Sequence, residues 1–147
     1  MKNQFILLFS WAALLFLPVI TVAQHTTTPF RELDEIPSGK AVIYLYRIST
    51  YAVAIRYKVN ANDKPVMNTP LYIDGYMVYL ANPGKTEIWA EMGKHHESIS
   101  LDVEAGKSYF VEGSVVSDSW TSRPSFTLVQ REQALKKLHK CRLLIDQ

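Results

Sequence analysis

A chain of 147 residues with 16 Lys and Arg against 14 Asp and Glu carries a formal charge of only +2. That balance leaves no basic footprint for nucleic acid, and a single cysteine excludes an internal disulfide framework. Hydrophobic residues make up 48% of the chain, enough at this length for one core.

The first segment has the anatomy of an export signal. Lys2 supplies the positive start, and Phe5 to Leu17 is apolar apart from Ser10. Pro18 then breaks the run, and Thr21-Val22-Ala23 offers short side chains before Gln24. The pattern predicts a signal peptide over residues 1–23, cleaved after Ala23, and hence a periplasmic or secreted protein. The apolar run is shorter than the ~20 residues that span a bilayer. No cysteine stands at the cleavage point to take a lipid.

Residues 24–39 are polar, interrupted by Pro29 and Pro37, and are predicted as an extended lead-in to a domain over 40–147. Ala41 to Tyr46 is a short run of β-branched and aromatic residues, which predicts a buried strand. Over Val53 to Val59, Ile55, Tyr57 and Val59 alternate with Arg56 and Lys58, the period of a half-buried strand. Asn60 to Lys64 is a polar loop that tolerates left-handed backbone. Asp74-Gly75 separates Leu71-Tyr72-Ile73 from Tyr76 to Leu80 and predicts a tight hairpin. Asn82-Pro83-Gly84, Gly93 to His96 and Glu104-Ala105-Gly106 are predicted corners between strands over 85–91, 98–103 and 109–116. Ser117 to Pro124 is a polar loop carrying one Trp, and Ser125 to Val129 a last short strand. Only the C-terminus has helical spacing. Ala134, Leu135, Leu138 and Cys141 form a stripe, with Lys136, Lys137 and Lys140 facing out.

These elements predict an all-β, two-layer antiparallel sandwich of seven or eight strands, Ig-like or prealbumin-like, with one short C-terminal helix. Cys141 either packs in its core or forms an intermolecular disulfide.

Chemistry-bearing patterns are scarce. Gly106-Lys107-Ser108 lacks the second glycine of a phosphate loop, since Leu101 stands in its place. His95 and His96 are adjacent, and neighbours on a strand point to opposite faces, which argues against chelation. Ala23-Gln24-His25 becomes a terminal copper-binding tripeptide only with cleavage after Val22. No serine sits in a nucleophile elbow. Glu87, Glu91, Glu97 and Glu112 fit a solvated sheet face. No catalytic, cofactor-binding or metal-ligating residue is assigned, and no cofactor is implied. The candidate contact residues are Trp120, set among Ser, Asp and Thr in its loop, and Arg123 beside it. An exposed loop Trp anchors a protein partner or stacks on a sugar, whereas one that folds back over the sheet edge only packs, and that packing is the default expectation. The reading favoured is therefore a non-catalytic binding or structural module of the bacterial envelope that contacts another envelope protein. A carbohydrate-binding module that meets cell-wall glycan is the alternative, and an unrecognised hydrolase ranks last.

The order of motifs resembles the bacterial family called domain of unknown function 2846. The resemblance rests on Ala41 to Arg47, on Tyr76 to Leu80 followed by Pro83-Gly84-Lys85, and on the corner Ala105-Gly106-Lys107-Ser108-Tyr109. A terminal helix that precedes a short final segment, within Glu132 to Leu144, completes it. The Pro-Gly-Lys and Ala-Gly-Lys corners are also similar to those of PEGA-type surface domains. The resemblance implies an exported β-sandwich and no catalytic residue.

Overall fold

A computed structural model describes residues 28–146; the predicted signal peptide and His25 lie outside them. In chain order the elements are β1 (Ala41–Arg47), β2 (Asn60–Ala61), β3 (Lys64–Pro65), β4 (Gly75–Ala81), β5 (Gly84–Met92), β6 (His95–Val103), β7 (Ser108–Ser117), β8 (Ser122–Val129), α1 (Arg131–Leu138) and β9 (Arg142–Leu143). They form two sheets, one ordered β8-β7-β1-β4-β9 and the other β3-β2-β5-β6. The predicted all-β sandwich with one short helix is the observed architecture. Within the larger sheet, however, β1 pairs with β7 and β4 with β9 in parallel.

β1 is buried along its whole length because it is the central strand and both of its faces are covered. Ala41, Ile43 and Leu45 join Val59, Leu71, Ile88, Leu101 and Val111 between the sheets. Val42, Tyr44 and Tyr46 point the other way, into a second cluster with Phe110, Ala134, Leu138 and Cys141 under the helix. The lead-in closes that second cluster. Phe30 sets its ring edge-on to Tyr44 and Tyr76, and the Leu33 amide donates to the Tyr44 hydroxyl at 2.8 Å.

Two local expectations are corrected. Residues 53–59 keep the predicted alternation of burial, with Tyr57 and Val59 inside and Arg56 and Lys58 outside. They form no strand, however: only Tyr57 bridges, to Leu71. The carbonyls of Tyr51, Ala52 and Ile55 instead accept hydrogen bonds from the buried Arg47 guanidinium, and Ala52 takes a φ of 54°.

The Asp74-Gly75 hairpin is also absent. Asp74 has the positive φ a turn needs, but Gly75 opens β4. A Cβ on Gly75 would lie 2.8 Å from Leu144 Cδ2, so glycine serves here to admit a close neighbour.

The helix ends at Leu138, and the short final segment that the resemblance implies follows it. Backbone bonds from Arg142 to Asp74 and from Leu144 to Tyr76 draw the chain into β9. Asp146 then accepts from the amides of Asn68 and Thr69, fixing the C-terminal segment across the 66–74 loop.

Since β1 and β7 are parallel, with Tyr46 opposite Glu112, both strands end on the same side of the sandwich. We call it the apical end. It carries the 48–59 connection and the β7–β8 turn.

Candidate contact surface

β7 and β8 pair from Phe110↔Val129 to Ser117↔Ser122, leaving Asp118 to Thr121 as the turn. The turn is stapled from within. One carboxylate oxygen of Asp118 accepts from the Thr121 hydroxyl at 2.9 Å, the Thr121 amide at 3.1 Å and the Trp120 amide at 3.4 Å. The Asp118 amide donates back to the Thr121 carbonyl, and the Ser117 and Ser122 hydroxyls meet at 2.6 Å. The Thr121 hydroxyl, then the two amides, hold the Asp118 carboxyl below the usual carboxylate range, with His95 adding a little.

On this braced turn Trp120 is 95% exposed. It does not fold back over the sheet edge. Beside it the β5–β6 hairpin turns through Gly93-Lys94, with the positive φ on Gly93. The two tips border an open depression of about 280 Å³ lined by Met92, Gly93, Lys94, His95, Thr121 and Ser122.

Arg123 has a different setting. Its Nη1 lies 3.0 Å from Glu97 Oε1, so its charge ties β8 to β6, where the two sheets lie edge against edge. Trp120 is thus presented outward, while Arg123 is engaged within the domain at the base of the same tip.

The other titratable groups are dispersed. His96 stacks on Trp89 at 4.9 Å and approaches Glu91 at 3.4 Å, while His95 sits at the depression on the opposite strand face. Glu112 pairs with Lys137 of the helix at 2.5 Å. Gly106 takes a φ of 77° at the β6–β7 corner, with no helix after it to hold a phosphate. Among the described residues no group of three His, Cys, Asp or Glu side chains is placed to hold a metal ion. Cys141 is fully buried in the second cluster, and burial pushes its thiol up to about 12.

One feature escaped the sequence. Arg47 ends a strand as an ordinary terminal cation would, yet it is fully buried with no carboxylate partner among the described residues. Its Nη1 donates to the Ile55 carbonyl at 2.5 Å, and its Nη2 to those of Ala52 at 2.8 Å and Tyr51 at 3.2 Å. The only available signal is the uncharged stretch Ile48 to Ile55 that follows it, whose carbonyls need donors when the segment packs.

No curated protein matches the chain, and no solved structure does. The family model described as a protein of unknown function, DUF2846, matches residues 37–124, from the approach to β1 into the start of β8. This chain belongs to that family.

Proposed function

We propose that the protein is an exported, non-catalytic module of the bacterial envelope that contacts another envelope protein through the β7–β8 tip. The observation that carries the reading is Trp120, 95% exposed on a turn whose backbone is already fixed by Asp118. A large ring held out on a braced loop loses little entropy when covered, and Trp is enriched among residues that dominate interface energy. The signal-like pattern of residues 1–23 supports export. Glu97 and Glu112 are engaged by Arg123 and Lys137 within the domain, which suits structural carboxylates and supports a binding role over a hydrolytic one.

The alternative, a glycan ligand, draws on one observation: an open depression bordered by Lys94 and His95 lies beside the tip that carries the exposed Trp120 ring. Trp120→Ala separates these readings. The variant should fold normally and lose co-purification with its envelope partner, weakening the contact by about 30-fold or more, as for a central aromatic anchor. If soluble cell-wall fragments quench the Trp fluorescence of the wild type, the glycan reading replaces the protein one.

A further inference from the structure

The end of α1 and the start of β9 concentrate positive charge. Lys136 to Arg142 holds four cations and one histidine in seven residues, with no carboxylate, in a protein of net charge only +2. Lys137 turns inward to Glu112. Lys136, His139, Lys140 and Arg142 are exposed and have no carboxylate partner among the described residues. Lys136 stands on the side of the helix opposite the buried Ala134 and Leu138, and the αR turn at His139 brings Lys140 to the same end.

The neighbouring carboxylates do not neutralise this segment. Glu32 is held by Arg131, and Asp146 by the amides of Asn68 and Thr69. Glu132, one turn before Lys136, and Asp74, beside Arg142 across the β4–β9 pair, make no ion pair. The helix dipole accounts for Lys136 and Lys137 in the last turn, but Arg142 lies in β9, outside its field.

The described chain begins beside these cations. The lead-in runs back along α1, from the Glu32–Arg131 pair at the start of the helix to Thr28, whose carbonyl accepts from the Leu143 amide at 2.9 Å. Pro29 bridges Arg142 itself. Thr28 is five residues from Ala23, the predicted cleavage point, a reach of at most ~18 Å. That is about two Debye lengths at moderate salt. During export the chain therefore holds this end of the domain close to the bilayer that its apolar segment enters.

We infer that Lys136, Lys140 and Arg142 dock the emerging domain on anionic phospholipid head groups of that membrane. The inference rests on export, as proposed above, and not on Trp120. Lysine is a compact point charge without a fixed fork, so the segment recognises charge density rather than one shaped ligand. Each Lys or Arg at an anionic membrane surface strengthens binding about fivefold, and three together about 100-fold.

Co-sedimentation with vesicles tests the inference, using residues 24–147, which hold both sheets and the helix. The vesicles are phosphatidylcholine with and without phosphatidylglycerol as a substantial minor lipid. The chain should bind only the anionic vesicles and leave them as added salt shortens the reach of its charges. Lys136→Gln/Lys140→Gln/Arg142→Gln should weaken binding about 100-fold with an unchanged thermal melt. Lys58→Gln/Lys64→Gln/Lys85→Gln removes the same charge from the smaller sheet and its loops and should bind almost as tightly as the wild type. Equal loss in both variants overturns the assignment to this segment. Failure of the wild type to bind phosphatidylglycerol, or equal binding to phosphatidylcholine alone, overturns the docking and leaves export standing. A full chain found unprocessed in the cytoplasm of its host overturns export, and this role with it, whatever the vesicles show.

Discussion

The Arg47 guanidinium carbon lies 5.8 Å from the centroid of the Tyr57 ring, and both side chains are closed off from solvent. Burial lowers the pKa of the guanidinium and raises that of the phenol, while their mutual attraction opposes both shifts. With no carboxylate partner among the described residues, the cation is held by the ring and by three carbonyls, of which only that of Ala52 has a second donor, the Ile55 amide. Arg47→Met should therefore cost about 3 kcal/mol in urea unfolding, since it leaves the Ile55 and Tyr51 carbonyls unpaired and removes a buried cation from the ring. Arg47→Lys keeps the charge but loses the planar fork, and should fall between the two. Equal stability of Arg47→Met and wild type would show that the carbonyls find water instead.

Tyr57 is constrained from its other end as well. Its hydroxyl donates to the Ser114 carbonyl at 3.3 Å, and a Cβ on Gly113 would stand 2.6 Å from that oxygen. Gly113→Ala should destabilise the domain by about 1–3 kcal/mol through overpacking. In the Tyr57→Phe background the same change should cost less, because the colliding oxygen is gone. Some penalty remains, since the new methyl also meets Leu71 Cδ2 at 2.9 Å. A double-mutant cycle by urea denaturation measures this coupling, and strict additivity would contradict it.

Stability at high pH follows from the buried acids. Tyr44, Tyr46, Tyr57, Tyr76 and Cys141 are all shifted up, with burial the largest cause in each. Above about pH 9 the unfolded chain begins to release these protons while the folded one retains them. The folded state then binds more protons, so stability is fully present below that pH and declines as pH rises. The urea midpoint should fall steadily above pH 9. The Cys141 thiol should resist Ellman's reagent until the protein unfolds, and rapid labelling of the folded protein would place it at the surface.

Most of the architecture was legible in the sequence because period-two alternation and corner residues speak for themselves. β1 stood out as an unbroken apolar run, and such a run arises only in a strand covered on both faces. The failures share one cause, that a distant partner decided the backbone. Nothing in Ile55 to Val59 says that an arginine eight residues earlier will take the carbonyl a strand needs. Likewise Asp74-Gly75 carries hairpin chemistry, and only the approach of Leu144 turns its glycine into a strand residue. The Trp120 loop was legible but its exposure was not, because a Trp among small polar residues can equally fold back over the sheet edge, and the Asp118 bonds that hold the turn out leave no pattern of their own. The parallel pairing of β1 with β7, which brings the 48–55 loop to the same end, has no local signature.

The Asp118 staple makes a prediction of its own. Its carboxyl lies below the usual range, so the turn keeps its bonds above about pH 4 and loses them as pH falls through the lowered value. Asp118→Ala should reproduce that loss at neutral pH, with faster amide exchange at Trp120 and Thr121 and an unchanged thermal midpoint. Unaltered exchange in the variant would mean that the turn is held by its strands alone.

The account depends above all on the Trp120 ring standing free in solvent. Trp89, the other described tryptophan, is half-buried, donates to the Asn62 carbonyl at 2.7 Å and stacks on His96. Acrylamide quenching of a chain over residues 24–147 against its Trp120→Phe variant therefore isolates the exposed ring. The wild type should show a red-emitting, readily quenched component that disappears in the variant without loss of thermal stability. A Trp120 emission that is blue-shifted and shielded from acrylamide would contradict the account, because the ring would then already be covered by its own domain.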